Sequence, residues 1–427
     1  MSVLSPAPST VLASLVLAVA APVHAEGPTA AERAAGWTVL DPQADLRGWR
    51  TGGFPAEGWS VEDGVLRVVG PGPDLVTREA WGDFELRMQV RVSAGANSGV
   101  MYRVDETKGS APWHSGAEFQ VLDDGGFGLE PTNGSSMGAL YAVVPPDAAK
   151  RSRPVGEWNE VRIVVVDGVI KHWLNGVRVV EAELDSDDFR AQVAASKFAA
   201  HPEFLASPRG RIALQNYGND VAFRDLRIRA LDAAPAGSID LLADRTLAGW
   251  RAHLRDGAAL ADVWSVGEDG VLRCAGTPIG YLRTTDTYEN FVLRVRWRWL
   301  EGKDPGNSGV LVRVVGEDRV WPKSVEAQLQ SGRAGDFWCI GEFPMTTDPE
   351  RTSGRNTRHR FANERPIGQW NRYEIVVDGG TVTLVVNDEV LNVATEVERV
   401  PGWIALQSEG AEIHFGEVTV TPIAGGG

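Results

Sequence analysis

The chain has 427 residues, with 57 Asp and Glu against 42 Lys and Arg, and a formal net charge of −15. That surplus of negative charge repels phosphate backbones and excludes a nucleic-acid partner. Its two cysteines, Cys274 and Cys339, both sit in apolar runs and read as a pair of buried thiols, with a single disulfide as the alternative.

Residues 1–25 contain no Asp, Glu, Lys or Arg. Residues 11–21 are apolar but too short to span a bilayer, and Val23-His24-Ala25 fits a small-residue cleavage site. This predicts a signal peptide over 1–25, and hence an exported, periplasmic or secreted protein. The leader departs from the usual pattern in lacking a basic residue near its start. No other segment is a transmembrane candidate, so no transmembrane anchor is expected.

Beyond the leader the chain repeats itself in order. LRGW at 46–49 returns as LAGW at 247–250, and WSVEDGVLR at 59–67 as WSVGEDGVLRC at 264–274. NSGVMYR at 97–103 returns as NSGVLVR at 307–313, and GAEFQVL at 116–122 as SVEAQLQ at 324–330. PVGEWN at 154–159 returns as PIGQWN at 366–371, and IALQ at 212–215 recurs at 404–407. A period of roughly 200 residues is far above the solenoid range and marks a duplicated domain. The copies are predicted over 37–230 and 239–423, joined by a small-residue linker at 231–238.

Within each copy apolar and polar residues alternate. Phe84, Leu86, Met88, Val90 and Val92 interleave with polar residues, as do Phe291, Leu293, Val295, Trp297 and Trp299. Turn pairs such as Asp63-Gly64, Asp167-Gly168, Asn175-Gly176 and Asp269-Gly270 separate such runs. Short period-2 segments between turns predict an antiparallel, all-β sandwich. Residues 187–204 break the pattern and read as a short helix followed by a loop. The second copy lacks this insertion, and insertions in strand connections often shape a site.

Several residues could carry chemistry. As a strand, GAEFQVL turns Ala117, Phe119 and Val121 to one side and Glu118 and Gln120 to the other. A carboxylate and an amide on one face suit sugar hydroxyls, and Glu118 is a candidate base; otherwise the pair is an exposed polar face or a buried hydrogen-bonded pair. Glu326 and Gln328 repeat the arrangement. Arg103, and Arg313 in the second copy, are candidates for holding a sugar oxygen or for a salt bridge within the sheet. His172 shares a face with Ile170 and Leu174, the pattern of a core histidine. Asp123, after the Glu118 strand, reads as a turn residue or a ligand for a divalent cation. Lys197 stands in the insertion, where it could reach over the site or be a solvated charge. Trp59, Trp158, Trp264 and Trp370 read as core, while Trp113, beside His114, reads as a loop residue able to line a site.

Taken in order, LRGW, WSVEDGVL, NSGVMYR, GAEFQVLDD, GALY (138–141), GEWN, KHWLNG (171–176), SKF (196–198) and GRIALQNYG resemble the 3-keto-disaccharide hydrolase domain family. The second copy resembles a divergent member: it keeps NSG, E-x-Q, WN and ALQ but lacks GALY, KHWLNG, SKF and the Asp pair. The resemblance implies two tandem concanavalin A-like jelly rolls. It also implies action on an oligosaccharide or glycoside whose sugar carries a C3 ketone. Such a ketone acidifies the C2 hydrogen, so that a base, an enolate stabiliser and a proton donor suffice for elimination and hydration. Glu118 or His172 would be the base, Arg103, Lys197 or a cation near Asp123 the stabiliser, and Tyr141 or His172 the acid. A non-catalytic tandem carbohydrate-binding module is the alternative.

Overall fold

The computed structural model describes residues 27–424, so the predicted leader lies outside the described residues. Each copy folds as two antiparallel sheets enclosing one hydrophobic core.

The large sheet of the first copy runs, strand by strand, Val177–Glu183, Val169–Leu174, Asn159–Val166, Phe84–Val92, Val221–Ala230, Val65–Val68 and Trp59–Glu62. The second copy repeats this order position for position: Glu389–Ala394, Thr381–Val386, Asn371–Asp378, Phe291–Trp299, Ile413–Pro422, Leu272–Cys274 and Trp264–Val266. Facing the first is a five-stranded sheet in the order Leu46–Gly48, Leu75–Thr77, Arg211–Leu214, Asn97–Val104 and Ala117–Leu122. In the second copy Trp250–Leu254, Gly280–Thr284, Trp403–Ser408, Gly309–Val315 and Lys323–Gln328 take the same order, and three further short strands extend the edge. The architecture is a pair of all-β jelly-roll sandwiches.

The alternation puts the cores where periodicity predicts. Phe84, Leu86, Val90, Phe119 and Val121 are buried in the first core, and Phe291, Leu293, Val295, Trp297 and Trp299 in the second. Trp59 and Trp264 are core as well. Trp158 and Trp370 are not: both are only half-buried, and arginines cover their faces, Arg91 and Arg224 on Trp158 and Arg296 and Arg298 on Trp370. A tryptophan at the start of a strand carries enough apolar area to be sheltered by an arginine stem rather than by a core. Cys274 is buried and Cys339 half-buried, and both are free thiols.

The outward faces of the two large sheets meet through charges. Glu85, fully buried, accepts hydrogen bonds from Arg87, Arg162 and Arg229. Arg229 reaches across to Glu374 of the second copy at 2.8 Å. Burial alone would raise the Glu85 carboxyl, but Arg162, Arg229 and Arg87 hold it well below the usual range. Lys171 donates to Asp388 at 3.3 Å, and Trp173 Nε1 donates to Glu389 at 3.0 Å. Paired charges of this kind tolerate burial; unpaired ones do not.

Candidate active site

Glu118 projects from the outward face of the five-stranded sheet, opposite Met101 on the neighbouring strand. Gln120 stands opposite Gly99. Absence of a side chain at Gly99 makes the site: a Cβ there would lie 2.0 Å from Glu118 Oε1. The face is roofed rather than open, so that Glu118 and Gln120 are each 4% exposed.

Three pieces of chain make the roof. Gly138 to Tyr141 runs along the free edge of the Glu118 strand, with Tyr141 N donating to Glu118 O at 3.0 Å and Gly138 N to Gln120 O at 2.9 Å. The turn Pro112–Ser115 carries Trp113. The insertion forms a helix, Asp187–Ala195, capped by the Ser186 hydroxyl, and a 3-10 turn, Lys197–Ala200. Lys197 reaches in from this turn, its Nζ 4.3 Å from the Tyr141 ring centre and 4.4 Å from that of Trp113.

Electrostatics follow from this enclosure. Burial pushes the Glu118 carboxyl up to about 8, with Lys197 opposing the rise and Asp74 adding to it. Burial lowers the Lys197 ammonium, and Glu118 counters. The Tyr141 hydroxyl is raised by burial and by the nearby Glu118. Asp74 was not singled out by any sequence signal; burial raises it to about 6, while the Asn216 backbone N–H it accepts holds it down. A carboxyl that titrates near neutrality beside an ammonium and a phenol can exchange a proton with a bound molecule.

Glu118, Tyr141, Lys197 and Trp113 are thus brought together. Gln120 lies on the same face, but its Oε1 accepts from Val121 N at 3.0 Å, leaving its amide N–H groups for a ligand. Other expected residues go elsewhere. His172 is fully buried in the core, where Nδ1 donates to Gly138 O at 3.1 Å and Nε2 accepts from the Tyr102 hydroxyl at 2.8 Å. Burial lowers its pKa to about 4, with the Gly138 bond opposing. Its ring packs against Phe119 on the core side of the sheet rather than on the Glu118 face, and its bond to Gly138 O holds the Gly138 end of the roof. In the second copy Val312 and Leu384 stand where Tyr102 and His172 do, both buried.

Arg103 also departs from its expected place. Alternation puts it beside Met101, but a β-bulge intervenes and Arg103 takes φ of 55°. Val104 therefore joins Met101 on the outer face. Arg103 turns instead toward Asp83, at 3.5 Å, and lines a cleft of 780 Å³ beneath the insertion. Arg313 repeats the bulge, with φ of 54°, and donates to Val400 O and to Gly379 O at 2.8 Å. Neither arginine is a sugar ligand on the Glu118 or Glu326 face. Asp123 accepts from Gly95 N at 2.8 Å and is a turn residue. Among the described residues it belongs to no group of three or more His, Cys, Asp or Glu side chains able to share an ion.

In the second copy Glu326 and Gln328 hold the equivalent positions, 5% and 3% exposed. The Gln328 Oε1 accepts from Leu329 N and Gln330 N, both at 2.8 Å. Glu326 Oε1 and Gln407 Oε1 both point over Gly309 and have no partner. Burial, then the charge of Glu409, pushes the Glu326 carboxyl well above its ordinary range. Residues 395–402 stand where the first copy has 184–210, so no counterpart of Lys197 faces it.

The profile of the 3-keto-alpha-glucoside-1,2-lyase-like domain matches residues 36–229 and again 237–421. A 3-keto-disaccharide hydrolase of Bacteroides thetaiotaomicron is 30% identical over 229 residues, which cover 46% of this chain and 78% of that protein. Two structures of candidate glycosyl hydrolases from Parabacteroides distasonis are also similar. One is 32% identical with a TM-score of 0.43, covering 47% of this chain and 96% of its own; the other is 25% identical with a TM-score of 0.37, covering 46% and 99%. With both segments matched in order and together spanning most of the sequence, the chain belongs to the 3-keto-alpha-glucoside-1,2-lyase-like domain family, a carbohydrate-acting family, in two tandem copies.

Proposed function

We propose that the first copy cleaves 3-keto-glycosides, including 3-keto-disaccharides, at the site between Glu118, Lys197 and Tyr141. The carrying observation is the Glu118 carboxyl, buried, raised to about 8 and set among Lys197, Tyr141 and Trp113. A carboxylate raised toward the working pH is a stronger base than an ordinary one for a C–H acidified by an adjacent ketone, and the ammonium supplies the charge that an enolate needs.

In this reading the Glu118 carboxylate takes the C2 proton. The electron pair moves first toward the C3 oxygen, which Lys197 stabilises, and then forms the C1–C2 double bond as the C1–O bond breaks. The departing oxygen takes a proton from Tyr141 or from the newly protonated Glu118. Water then adds at C1 and a proton returns to C2, so the sum is hydrolysis. Trp113 offers an aromatic wall for a sugar ring. Export to the periplasm or beyond, proposed from the leader, fits a glycoside substrate met outside the cytoplasm.

For the second copy we propose glycan binding without cleavage. Burial and the charge of Glu409 hold its Glu326 carboxyl well above the ordinary range, and the insertion that carries Lys197 has no counterpart there, which suits a hydrogen bond to a sugar hydroxyl better than proton abstraction. The deciding experiment incubates the purified protein with 3-keto-trehalose or a 3-keto-glucoside and follows free sugar and the unsaturated intermediate. Cleavage of the keto-glycoside but not of its unoxidised parent supports the reading; binding without turnover supports a binding module.

A further inference from the structure

His114, His201 and Glu203 converge beside the Trp113 indole, whose centre is 4.1 Å from the His114 ring and 5.0 Å from that of His201. One ligand atom from each lies within 4.8 Å of the other two. Glu203 Oε1 is 3.4 Å from His201 Nδ1 and 3.9 Å from His114 Nδ1. Ligands about 2.0–2.1 Å from a tetrahedral zinc-class ion stand about 3.3 Å from one another. The three side chains are therefore within small rotations of a coordination shell, and all are partly exposed, which leaves room for water as the fourth ligand.

The backbone holds this arrangement from both sides. Leu205 N donates to Ser115 O at 2.8 Å, tying the end of the insertion to the turn that carries His114. Gly109, at φ of 66°, makes room for the imidazole: a Cβ there would lie 2.5 Å from His114 Cβ and 2.9 Å from Nδ1. The second copy lacks both halves together. It has Pro322 where His114 stands, after the matching Trp321, and residues 395–402 in place of the insertion.

We propose that His114, His201 and Glu203 bind one divalent transition ion of the zinc class and that this ion clips the insertion to the Trp113 turn. His114 Nδ1 now accepts from Ser110 N at 3.1 Å; that N–H is exposed and turns to water when the ion takes the lone pair. The ion does not enter the proton transfers at Glu118. Its work is to hold Lys197, four residues before His201, over the site; that consequence rests on the reading of the first copy given above, whereas the binding itself does not.

The full-length protein, stripped with chelator and dialysed, is titrated with Co²⁺ and followed by visible absorption, then challenged with Zn²⁺. One equivalent of Co²⁺ with d–d bands, displaced by Zn²⁺, is expected. His114→Ala and His201→Ala each weaken binding at least tenfold, and Zn²⁺ slows amide exchange over 187–204 in the wild type alone. Far-UV circular dichroism of the metal-free variants checks that they fold, and His201→Gln decides if an alanine variant does not. No stoichiometric uptake by the wild type, or equal uptake by the double alanine variant, overturns the proposal. It would leave an ordinary His–Glu hydrogen-bonded cluster. Since the readout needs no substrate, failure to cleave a 3-keto-glycoside leaves this result intact, and the reverse holds as well.

Discussion

Gly99 and Glu118 occupy neighbouring strands, and the carboxylate of Glu118 fills the space that any side chain at Gly99 would require. Gly99→Ala brings a methyl carbon to 2.0 Å from Oε1, so the carboxylate must leave its position. The strand tolerates alanine, and the forced rotamer costs about 1 kcal/mol. Turnover of a 3-keto-glucoside should fall at least tenfold while thermal unfolding moves by only a few degrees, since a displaced base loses its alignment with the reacting atom.

Glu118→Gln should abolish cleavage, because the amide keeps size but cannot take a proton. Glu326→Gln should leave most of it. Free-sugar release by the two variants, measured side by side, tests the assignment. If Glu326→Gln is the inactive one, the active copy is the second.

Activity should depend on pH with a rising limb near 8, where Glu118 ionises, and should fall again at alkaline pH below the ordinary lysine range as Lys197 loses its proton. Stability runs the other way. The folded state raises Glu118 from 4.5 to about 8, so between those values it binds a proton that the unfolded chain has lost. Stability from this group therefore declines as pH rises through that window. Urea unfolding of Glu118→Gln should show a shallower decline, leaving the variant the more stable protein at pH 8.5.

Lys197→Met keeps much of the stem and removes the charge that opposes the rise at Glu118. Cleavage should fall at least a hundredfold, and any residual rate should show its rising limb at higher pH than in the wild type. A pH profile of kcat/KM separates this from a simple loss of packing, which would leave the limb in place.

Arg229→Met removes the cation shared by Glu85 and Glu374 across the two copies. It leaves the partly exposed Glu374 with Arg294, and the fully buried Glu85 with Arg87 and Arg162. Breaking such a network costs about 3–5 kcal/mol. Denaturant unfolding should register that loss while the copies keep their β circular dichroism.

Much of this protein is written locally. Period-2 alternation fixed which residues face each core because successive side chains on a strand point to opposite faces, and the ordered repeats fixed that one architecture occurs twice. The same rule put Glu118 and Gln120 on the outer face and sent Lys171 and Trp173 away from His172, though only the assembled chain gave that pair its destination, the second copy. The rule failed at Arg103 and Arg313, since one left-handed residue at a bulge inverts the face of all that follows, and nothing in NSGVMYR or NSGVLVR announces it. His172 shares its face with aliphatic residues in the sequence, and the core claimed it, with Tyr102 and Gly138 O satisfying both ring nitrogens. The meeting of Lys197 with Tyr141 and Trp113, and of His114 with His201 and Glu203, was decided by tertiary structure alone. Each joins segments far apart in the chain, and their spacing is set by how a roof of loops and one insertion packs over a sheet, which no local pattern encodes.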